Sequence, residues 1–253
     1  MHKVALEYQS MSAQVRIVLI DPSHPGNIGS VARAMKNMAL EHLVLVRPCS
    51  FPHAESIALA AGADDILENA QVVATVAEAI ADCAFIAGTT GRPRSYYWEF
   101  TTPRDVSERL ANMPSEVNAA LLFGSERYGL ATEDLDYCNV LVRIPANPEY
   151  CSLNLAMSVQ LLAYEYFLAR ERPQSIVQLE LPLAPSGDLE HFYGHLHQVL
   201  NEIDFADRTG HLMERLRRLF NRAQLDRNEL NILRGILSAI QGRKGQSTMR
   251  RAP

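Results

Sequence analysis

SHPGNIGSVAR fills residues 23–33, directly after the apolar run Val15–Ile20, and this stretch decides how the first half of the chain is interpreted. An apolar run that ends in a glycine-containing segment and continues with helical spacing is typical of a strand leading through a loop into a helix. Two further blocks stand in similar positions: LFGSERYGL at 122–130, and IPAN at 144–147 with SLNLA at 152–156. Loops that follow strands build the ligand sites of α/β proteins, so the three blocks indicate such a site.

Short apolar runs recur along residues 15–144, with helical patterns between them. The candidate strands are Val15–Ile20, Leu43–Val46, Ala84–Ala87, Ala119–Phe123 and Val140–Ile144. The candidate helices are Ile28–Met38, Ala54–Ala61, the weaker Val76–Ile80, and Leu153–Phe167. The strands are almost continuously apolar, as in parallel sheets that are covered on both faces. We therefore predict an α/β domain with a mostly parallel sheet.

The pattern changes at Pro173, Pro182, Pro185 and Gly187, which predict a linker over residues 171–188. Three apolar stripes at helical spacing follow, over residues 189–203, 212–220 and 230–240. Asp226 and Glu229 offer the third a capping box. After Gln241 the chain is rich in Gly, Ser and basic residues, and we predict a disordered tail. The predicted parts are an α/β domain over 1–170, the linker, and a small all-α domain with its tail over 189–253.

Composition favours a folded protein without a membrane span. The 253 residues are 47% hydrophobic, and no apolar run reaches the length of a transmembrane helix. Residues 1–12 lack the apolar segment of a signal peptide. Four widely spaced cysteines, with no CxxC pair, indicate buried reduced thiols in a cytoplasmic protein. His191, His195 and His197 have no supporting carboxylate or cysteine pattern, so we expect no metal site.

Charge is distributed unevenly along the chain. The net charge is −5, yet residues 208–251 contain 11 Arg and Lys against 3 Asp and Glu, which leaves −13 on the remainder. Such asymmetry indicates a basic surface for a polyanion. The alternative is a solvated helical face that packs toward the acidic part of the chain.

The order and content of the three blocks resemble the motifs of the SPOUT class of RNA methyltransferases, and most of all its TrmJ type, over about Val15 to Arg170. The resemblance implies a deep trefoil knot in the sheet, a homodimer with active sites at the subunit interface, and S-adenosylmethionine as cofactor. It also implies 2′-O-methylation of cytidine or uridine at position 32 of the tRNA anticodon loop. A ribosomal RNA ribose methyltransferase of the same class and a non-catalytic RNA-binding protein are the alternatives.

The resemblance also assigns residues to roles. Arg33, Ser152 and Asn27 would be catalytic, and Arg33, Arg92 and Arg94 would bind RNA. Arginine does not give up its proton at ordinary pH and makes a poor base, so we expect Arg33 to orient a phosphate and stabilise the developing alkoxide. The cofactor would be bound by ten residues: Thr89, Thr90, Gly91, Gly124, Glu126, Ile144, Cys151, Ser152, Leu153 and Asn154.

The residue types fit these roles, although each has a simpler interpretation. Gly124 permits close approach of a ligand to the backbone, and Pro145 has no amide proton, which leaves the carbonyl of Ile144 free to accept. The simpler view is that the glycines only form turns and that Glu126 caps a helix start. For the run Tyr96 to Trp98 we favour packing in a core or a subunit interface over stacking on an RNA base.

Overall fold

Parallel strands form the centre of the fold. The structure is a computed structural model that describes residues 13–91, 98–172, 181–205, 207 and 210–249, without the side chains of 243–249. Seven strands in the described part make one sheet: β1 (Gln14–Ile20), β2 (His42–Val46), β3 (Gln71–Val73), β4 (Phe85–Thr89), β5 (Phe100–Thr101), β6 (Asn118–Phe123) and β7 (Val140–Val142). Their spatial order is β3-β2-β1-β6-β4-β7-β5, and every neighbouring pair is parallel. The predicted α/β class with a mostly parallel sheet is confirmed, while the trefoil knot stays a prediction.

Helices cover both faces of the sheet. They are α1 (Pro25–Asn37), α2 (Ala54–Ala60), α3 (Asp64–Glu68), α4 (Val76–Ile80), α5 (Pro103–Ala111), α6 (Thr132–Leu135) and α7 (Leu155–Glu171). Ile17 of β1 belongs to a buried layer with residues of α1, α5 and α7. Its neighbour Val18 belongs to the opposite layer with residues of α4 and α6. This alternation follows from the two-residue period of a strand and explains why the strands are apolar throughout.

Strand ends differ from the prediction for identifiable reasons. β4 continues through Gly88 to Thr89, beyond the predicted end at Ala87. A Cβ at residue 88 would lie 2.6 Å from Sγ of Cys138, so this glycine allows the strand to pack closely. β7 ends at Val142, before the predicted Ile144, and the last residue of its partner β5, Thr101, lies opposite Val142. β3 and β5 were not predicted, because three and two residues are too short to show a pattern.

The C-terminal part contains the three predicted helices, α8 (Ser186–Glu202), α9 (Leu212–Ala223) and α10 (Arg227–Met249). They share a separate buried cluster that includes Phe192 and Tyr193. The predicted capping box is present: the Glu229 amide donates to Asp226 Oδ1 at 2.8 Å, and the Asp226 amide donates to Glu229 Oε2 at 3.0 Å. The prediction of a disordered tail is wrong over residues 242–249, where α10 continues. Extending an existing helix is easier than starting one, and no proline interrupts this segment.

The predicted linker over 171–188 is too long at both ends. Helix α7 extends to Glu171, and α8 begins at Ser186, directly after Pro185. The amides of Ser186 and Gly187 donate to the carbonyls of Cys83 and Ala81 at 2.8 and 2.9 Å, which fixes the start of α8 against the sheet region. Of the predicted linker, residues 173–180 lie outside the described part. Below, "sheet region" means residues 13–172 and "helical region" means residues 181–249.

None of the helices in the described part of the chain is both long enough and apolar enough to cross a membrane. Of the four cysteines, Cys83 and Cys138 are buried as predicted, whereas Cys49 and Cys151 are exposed. The prediction of buried thiols is therefore wrong for two of the four. All four are free cysteines in this structure.

Candidate functional site

A cavity of 320 Å³ opens where strands β4, β6 and β7 end at the carboxyl edge of the sheet. Every residue of 89–91 and 123–130 contributes to its wall, and the rest of the wall comes from Ile144, Cys151, Ser152, Leu153, Leu155 and Ser158. Pockets of 300 Å³ or more hold small molecules, and the carboxyl edge of a parallel sheet is the usual place for them. The second and third sequence blocks thus meet at one cavity.

Nine of the ten residues predicted to bind the cofactor line this cavity. The exception is Asn154, which does not belong to the wall. Its Oδ1 accepts hydrogen bonds from the amides of Ala156 and Met157 at 2.9 and 3.4 Å, so Asn154 is the N-cap of α7. The structure brings the nine residues together at the cavity, whereas Asn154 caps the start of α7.

The cavity wall has the tight backbone geometry that its glycines permit. A Cβ on Gly124 would lie 2.0 Å from the carbonyl carbon of Gly129, so only glycine fits there. Gly129 has φ +67°, and its amide donates to the carbonyl of Ser125 at 2.8 Å. The hydroxyl of Thr89 donates to the carbonyl of Leu122 at 3.0 Å and joins the ends of β4 and β6. The wall is held by main-chain packing and a short turn.

Glu126 connects the cavity to the first sequence block. Its Oε2 accepts hydrogen bonds from the amide and the hydroxyl of Ser23, at 2.8 and 2.6 Å, and its Oε1 accepts from Asn27 Nδ2 at 2.8 Å. Asn154 Nδ2 in turn donates to Asn27 Oδ1 at 3.1 Å. All three sequence blocks therefore meet in one polar network, with Glu126 as its shared acceptor.

The same network sets the charge of Glu126. Burial by itself would raise the pKa of this carboxyl group, but the hydrogen bonds from Ser23 and Asn27 outweigh burial and hold the pKa below its usual value. A lowered pKa keeps the carboxylate ionised at neutral pH. Negative charge at the wall of the cavity suits a ligand that carries a positive centre.

A second interaction fixes the start of the Ser23 loop. Asp21 and Arg47 directly follow the neighbouring strands β1 and β2, and both have left-handed backbones, with φ of 49° and 48°. The Arg47 guanidinium donates to Asp21 Oδ1 and Oδ2 at 2.8 and 2.9 Å. This pair, together with the hydrogen bond from the Asp21 amide to the carbonyl of Val46, holds the chain two residues before Ser23. Sequence analysis did not identify it.

Of the three arginines predicted to bind RNA, only Arg33 belongs to the described residues. Arg33 is exposed on α1, does not line the cavity, and makes no hydrogen bond or ion pair with any residue that the structure describes. Arg92 and Arg94 lie outside the described residues, as do Tyr96 and Tyr97. Trp98 is half-buried and packs against the apolar layer of α4 and α6, which fits a packing role for this aromatic residue.

Sequence analysis missed Ser23, Tyr128 and Ser158. Ser23 was quoted within the first block without a role, yet it gives two of the three hydrogen bonds to Glu126. Ser158 follows Leu155 by three residues on α7, and both line the cavity because residues at this spacing share one helix face. Tyr128 is 62% exposed at the cavity, and the Arg127 guanidinium lies 5.2 Å from its ring centre.

Two of the three histidines of α8 lie next to amide side chains. His195 Nε2 is 2.9 Å from Gln241 Oε1, and His197 Nε2 is 3.4 Å from Asn201 Nδ2. Nowhere in the described ranges do three or more His, Cys, Asp or Glu side chains converge so that they could hold a metal ion.

Comparison with known families divides the chain into the same two parts. Residues 14–164 match the SpoU rRNA methylase family. Residues 187–251 match a family described as the C-terminal domain of the tRNA methyltransferase TrmJ. The first match includes all three sequence blocks, and the second covers helices α8 to α10.

Individual proteins resemble the chain over most of its length. A protein of Yersinia enterocolitica named tRNA (cytidine/uridine-2′-O-)-methyltransferase TrmJ is 47% identical, over 91% of this chain and 93% of its own. The protein of that name in Escherichia coli K12 is 46% identical, over 91% and 96%. The crystal structure of TrmJ from Z. mobilis superposes with a TM-score of 0.80 at 35% identity, covering 90% of this chain and all of that one.

Proposed function

Because the chain belongs to the SpoU rRNA methylase family and carries a TrmJ C-terminal domain, we propose that it is a tRNA ribose methyltransferase. The proposed reaction moves a methyl group from S-adenosylmethionine to the 2′-hydroxyl of cytidine or uridine at position 32 of the anticodon loop. The proposed location is the cytoplasm. The observation that carries the proposal is the convergence of all three blocks on one cavity and one polar network.

The residues of the cavity fit S-adenosylmethionine. Phe123, Leu130 and Ile144 give apolar surface, while Ser125 and Ser152 give hydroxyl groups. The close backbone turn at Gly124 allows main-chain amides and carbonyls to reach the edge of an adenine. The ionised Glu126 carboxylate favours the positive charge of the donor. When bound, the cofactor supplies an electrophilic methyl group on a sulfonium.

The residues of the protein then have to align the ribose 2′-oxygen with the methyl group and help to remove the proton of the 2′-hydroxyl. Asn27, held by Glu126 and Asn154, lies at the N-terminus of α1, where a target phosphate is favoured. The guanidinium group of an arginine is a permanent positive charge near neutral pH, so the proposed role of Arg33 is to hold that phosphate and stabilise negative charge on the ribose oxygen. Ser152 at the cavity wall is the proposed positioning group for the methyl donor. Alignment of the reacting atoms is the main contribution to the rate.

We propose a homodimer, as the SPOUT resemblance implies. Met157, Leu161 and Tyr164 follow one face of α7 at helical spacing and are 62%, 42% and 47% exposed. An apolar helix face of this kind is typical of a surface that packs against another subunit. Arg33 is about 9 Å from Asn27 along the axis of α1, outside the cavity of its own chain. A partner subunit on this side would bring a second Arg33 near each cavity.

A subunit-mixing experiment tests this arrangement. Arg33→Ala and Glu126→Ala should each abolish methyl transfer as homodimers. If Arg33 acts across the interface, random pairing of the two variants restores about one quarter of the sites. No recovery after verified subunit exchange would mean that Arg33 serves its own chain. Met157→Glu should give monomers by analytical ultracentrifugation, while Ile232→Glu, at a residue of α10 that is equally exposed (63% against 62%), should leave the dimer intact.

The substrate is tested by incubating the protein with labelled S-adenosylmethionine and bulk tRNA, then mapping the product by nuclease digestion and mass spectrometry. A 2′-O-methyl group at position 32 is the expected result. Transfer to ribosomal RNA alone would move the target while keeping the chemistry. Cofactor binding without transfer to either RNA would favour a non-catalytic RNA-binding protein.

A further inference from the structure

Helix α9 is attached to the sheet region by a buried asparagine. Asn221 is 5% exposed. Its Nδ2 donates to the carbonyl of Asp136 at 2.9 Å, and its Oδ1 accepts from the hydroxyl of Tyr193 at 2.7 Å. Its main-chain carbonyl accepts from Asn139 Nδ2 at 2.7 Å. A buried polar side chain with several satisfied hydrogen bonds favours one arrangement of the elements around it. Asn221 therefore fixes the position of α9 on the sheet region.

Asn139 continues this connection into the sheet. Its Oδ1 accepts from the amide of Ile86 at 2.7 Å, and its own amide donates to the carbonyl of Ile86 at 2.8 Å. Ile86 lies in β4, three residues before Thr89, where the cavity wall begins. One side chain therefore links α9 to the strand that leads to the cavity.

Arg218 makes the second contact, one helical turn before Asn221. Its guanidinium lies 4.9 Å from the ring centre of Trp98. Its NH2 group is 3.9 Å from Asp136 Oδ1 and 3.5 Å from Glu214 Oε2, and the side chain is only 17% exposed. Burial raises the pKa of Asp136, and the nearby Arg218 opposes that shift. Removing Arg218 would take from a mostly buried carboxylate the arginine with the larger effect on it, leaving only Arg217.

Side chains of both regions pack around these contacts. A small void of 10 Å³ lies between them, bounded by Cys83, Ile86 and Tyr137 on one side and by Leu189, Glu190 and Asn221 on the other. That volume is about the minimum for a single water molecule. Arg109 of α5 also donates a hydrogen bond to Gln224, the residue after α9. The sheet and helical regions are packed together here.

Helix α9 presents a different side to solvent. Arg222 is exposed, while Arg217 pairs with Glu190 and Arg218 lies in the interface. Arg234 of α10 donates to the carbonyl of Asp188. Among the described arginines, Arg217, Arg218 and Arg234 thus hold the fold together, whereas Arg222 and Arg227 are exposed to a polyanion.

We propose that Arg218 and Asn221 are positioning residues that fix α9 on the sheet region, so that the exposed arginines and the cavity present tRNA with one rigid surface. The part of this inference that concerns tRNA rests on the proposed function. The attachment itself does not, and it can be measured without any RNA.

Trp98 provides that measurement, because it is the only tryptophan in the chain. Arg218→Ala should shift its emission to longer wavelength and increase its quenching by acrylamide. Arg222→Ala is the matched control, since it removes the same charge from the exposed side of the same helix. It should leave the emission unchanged. Identical spectra for the two variants would overturn the proposal.

Steady-state kinetics distinguish a positioning role of Arg218 from a role of its charge alone. Arg218→Ala should raise the KM for tRNA by about tenfold, the effect of losing a charged contact, with the KM for S-adenosylmethionine nearly unchanged. Arg222→Ala should raise the KM for tRNA by a smaller factor. Arg218→Lys keeps the charge but loses the planar group over Trp98, so an intermediate KM is expected. An equal KM for the alanine variants at these two positions would favour a purely electrostatic role.

Asn221→Ala gives an independent test. Small-angle scattering should show a larger radius of gyration than for the unchanged protein, with the helix content by circular dichroism retained. An unchanged radius of gyration together with an unchanged KM for tRNA would contradict the proposal. If the protein transfers no methyl group to tRNA, the proposed function fails, while the fluorescence and scattering results still decide whether α9 is fixed by these residues.

Discussion

At the scale of single residues, the carboxylate of Glu126 accepts three hydrogen bonds, and a glutamine at this position could not accept all three. Glu126→Gln places an NH2 group against the donors of Ser23 or Asn27. We expect a loss of about 1–2 kcal/mol in the free energy of unfolding at neutral pH, the usual effect of an unmatched polar group. Methyl transfer should fall more steeply, because Asn27 is released as well.

The same carboxylate predicts a pH dependence. Its pKa in the folded protein lies below the usual value, so the unfolded chain binds this proton more tightly. The contribution of Glu126 to stability is present above its unfolded pKa of about 4.3 and is lost as the pH falls through the folded pKa. The difference in free energy of unfolding between the unchanged protein and Glu126→Gln should therefore shrink on acidification. Urea unfolding at several pH values measures it, and a constant difference would argue against this role.

The cysteines give a chemical test of the cavity. Burial raises the pKa of the Cys83 thiol to about 12, and it raises that of Cys138 as well, so neither should react with a thiol reagent in the folded protein. Cys49 and Cys151 are exposed and should react. Because Cys151 lines the cavity, S-adenosylmethionine should slow its labelling, with Cys49 as the internal control. Labelling of Cys151 at the same rate with and without cofactor would contradict the proposed binding site.

At the scale of elements, Gly29 sets how closely α1 packs on α2. A Cβ there would lie 2.0 Å from the carbonyl oxygen of Ser56. Gly29→Ala should therefore lower the free energy of unfolding by about 1–3 kcal/mol, as overpacking does. Gly194→Ala is the control, because a Cβ at that position in α8 meets no atom within 4 Å. It should raise stability by about 0.5–1 kcal/mol. Thermal unfolding of both variants measures the difference.

Elements also show where sequence patterns succeed and fail. The run at Val15–Ile20 and the pattern at Val76–Ile80 predicted a strand and a helix to within one residue, because apolar spacing reflects burial directly. β5 has two residues and depends entirely on its pairing with β7, which no local pattern reveals. The loops of the cavity were recognised from their motifs. The hydrogen bonds that join Ser23, Glu126 and Asn154 depend on distances between blocks that lie about a hundred residues apart, so spacing could not show them.

At the scale of the whole molecule, the binding of tRNA should depend on salt in a way that identifies the exposed arginines. Arg222 and Arg227 are exposed in the helical region. Replacing each with alanine should reduce the slope of log K against log salt by about one, because one phosphate contact and its counterions are lost. Arg104→Ala removes a charge that pairs with Glu165 in the sheet region and should leave the slope unchanged. Filter binding at several salt concentrations provides the slopes.

The strand order has a consequence for synthesis of the chain on the ribosome. β7 lies between β4 and β5, although it is translated after both. Until residues 140–142 have left the exit tunnel, the edge of β4 has no neighbour on that side, and unpaired edges favour aggregation. Ile144, Cys151 and Ser152 of the cavity wall follow β7 in the sequence. A nascent chain that stalls before this point can pair only five of the seven strands and lacks these three residues of the cavity wall, so the edge of β4 stays exposed to other chains until β7 is inserted.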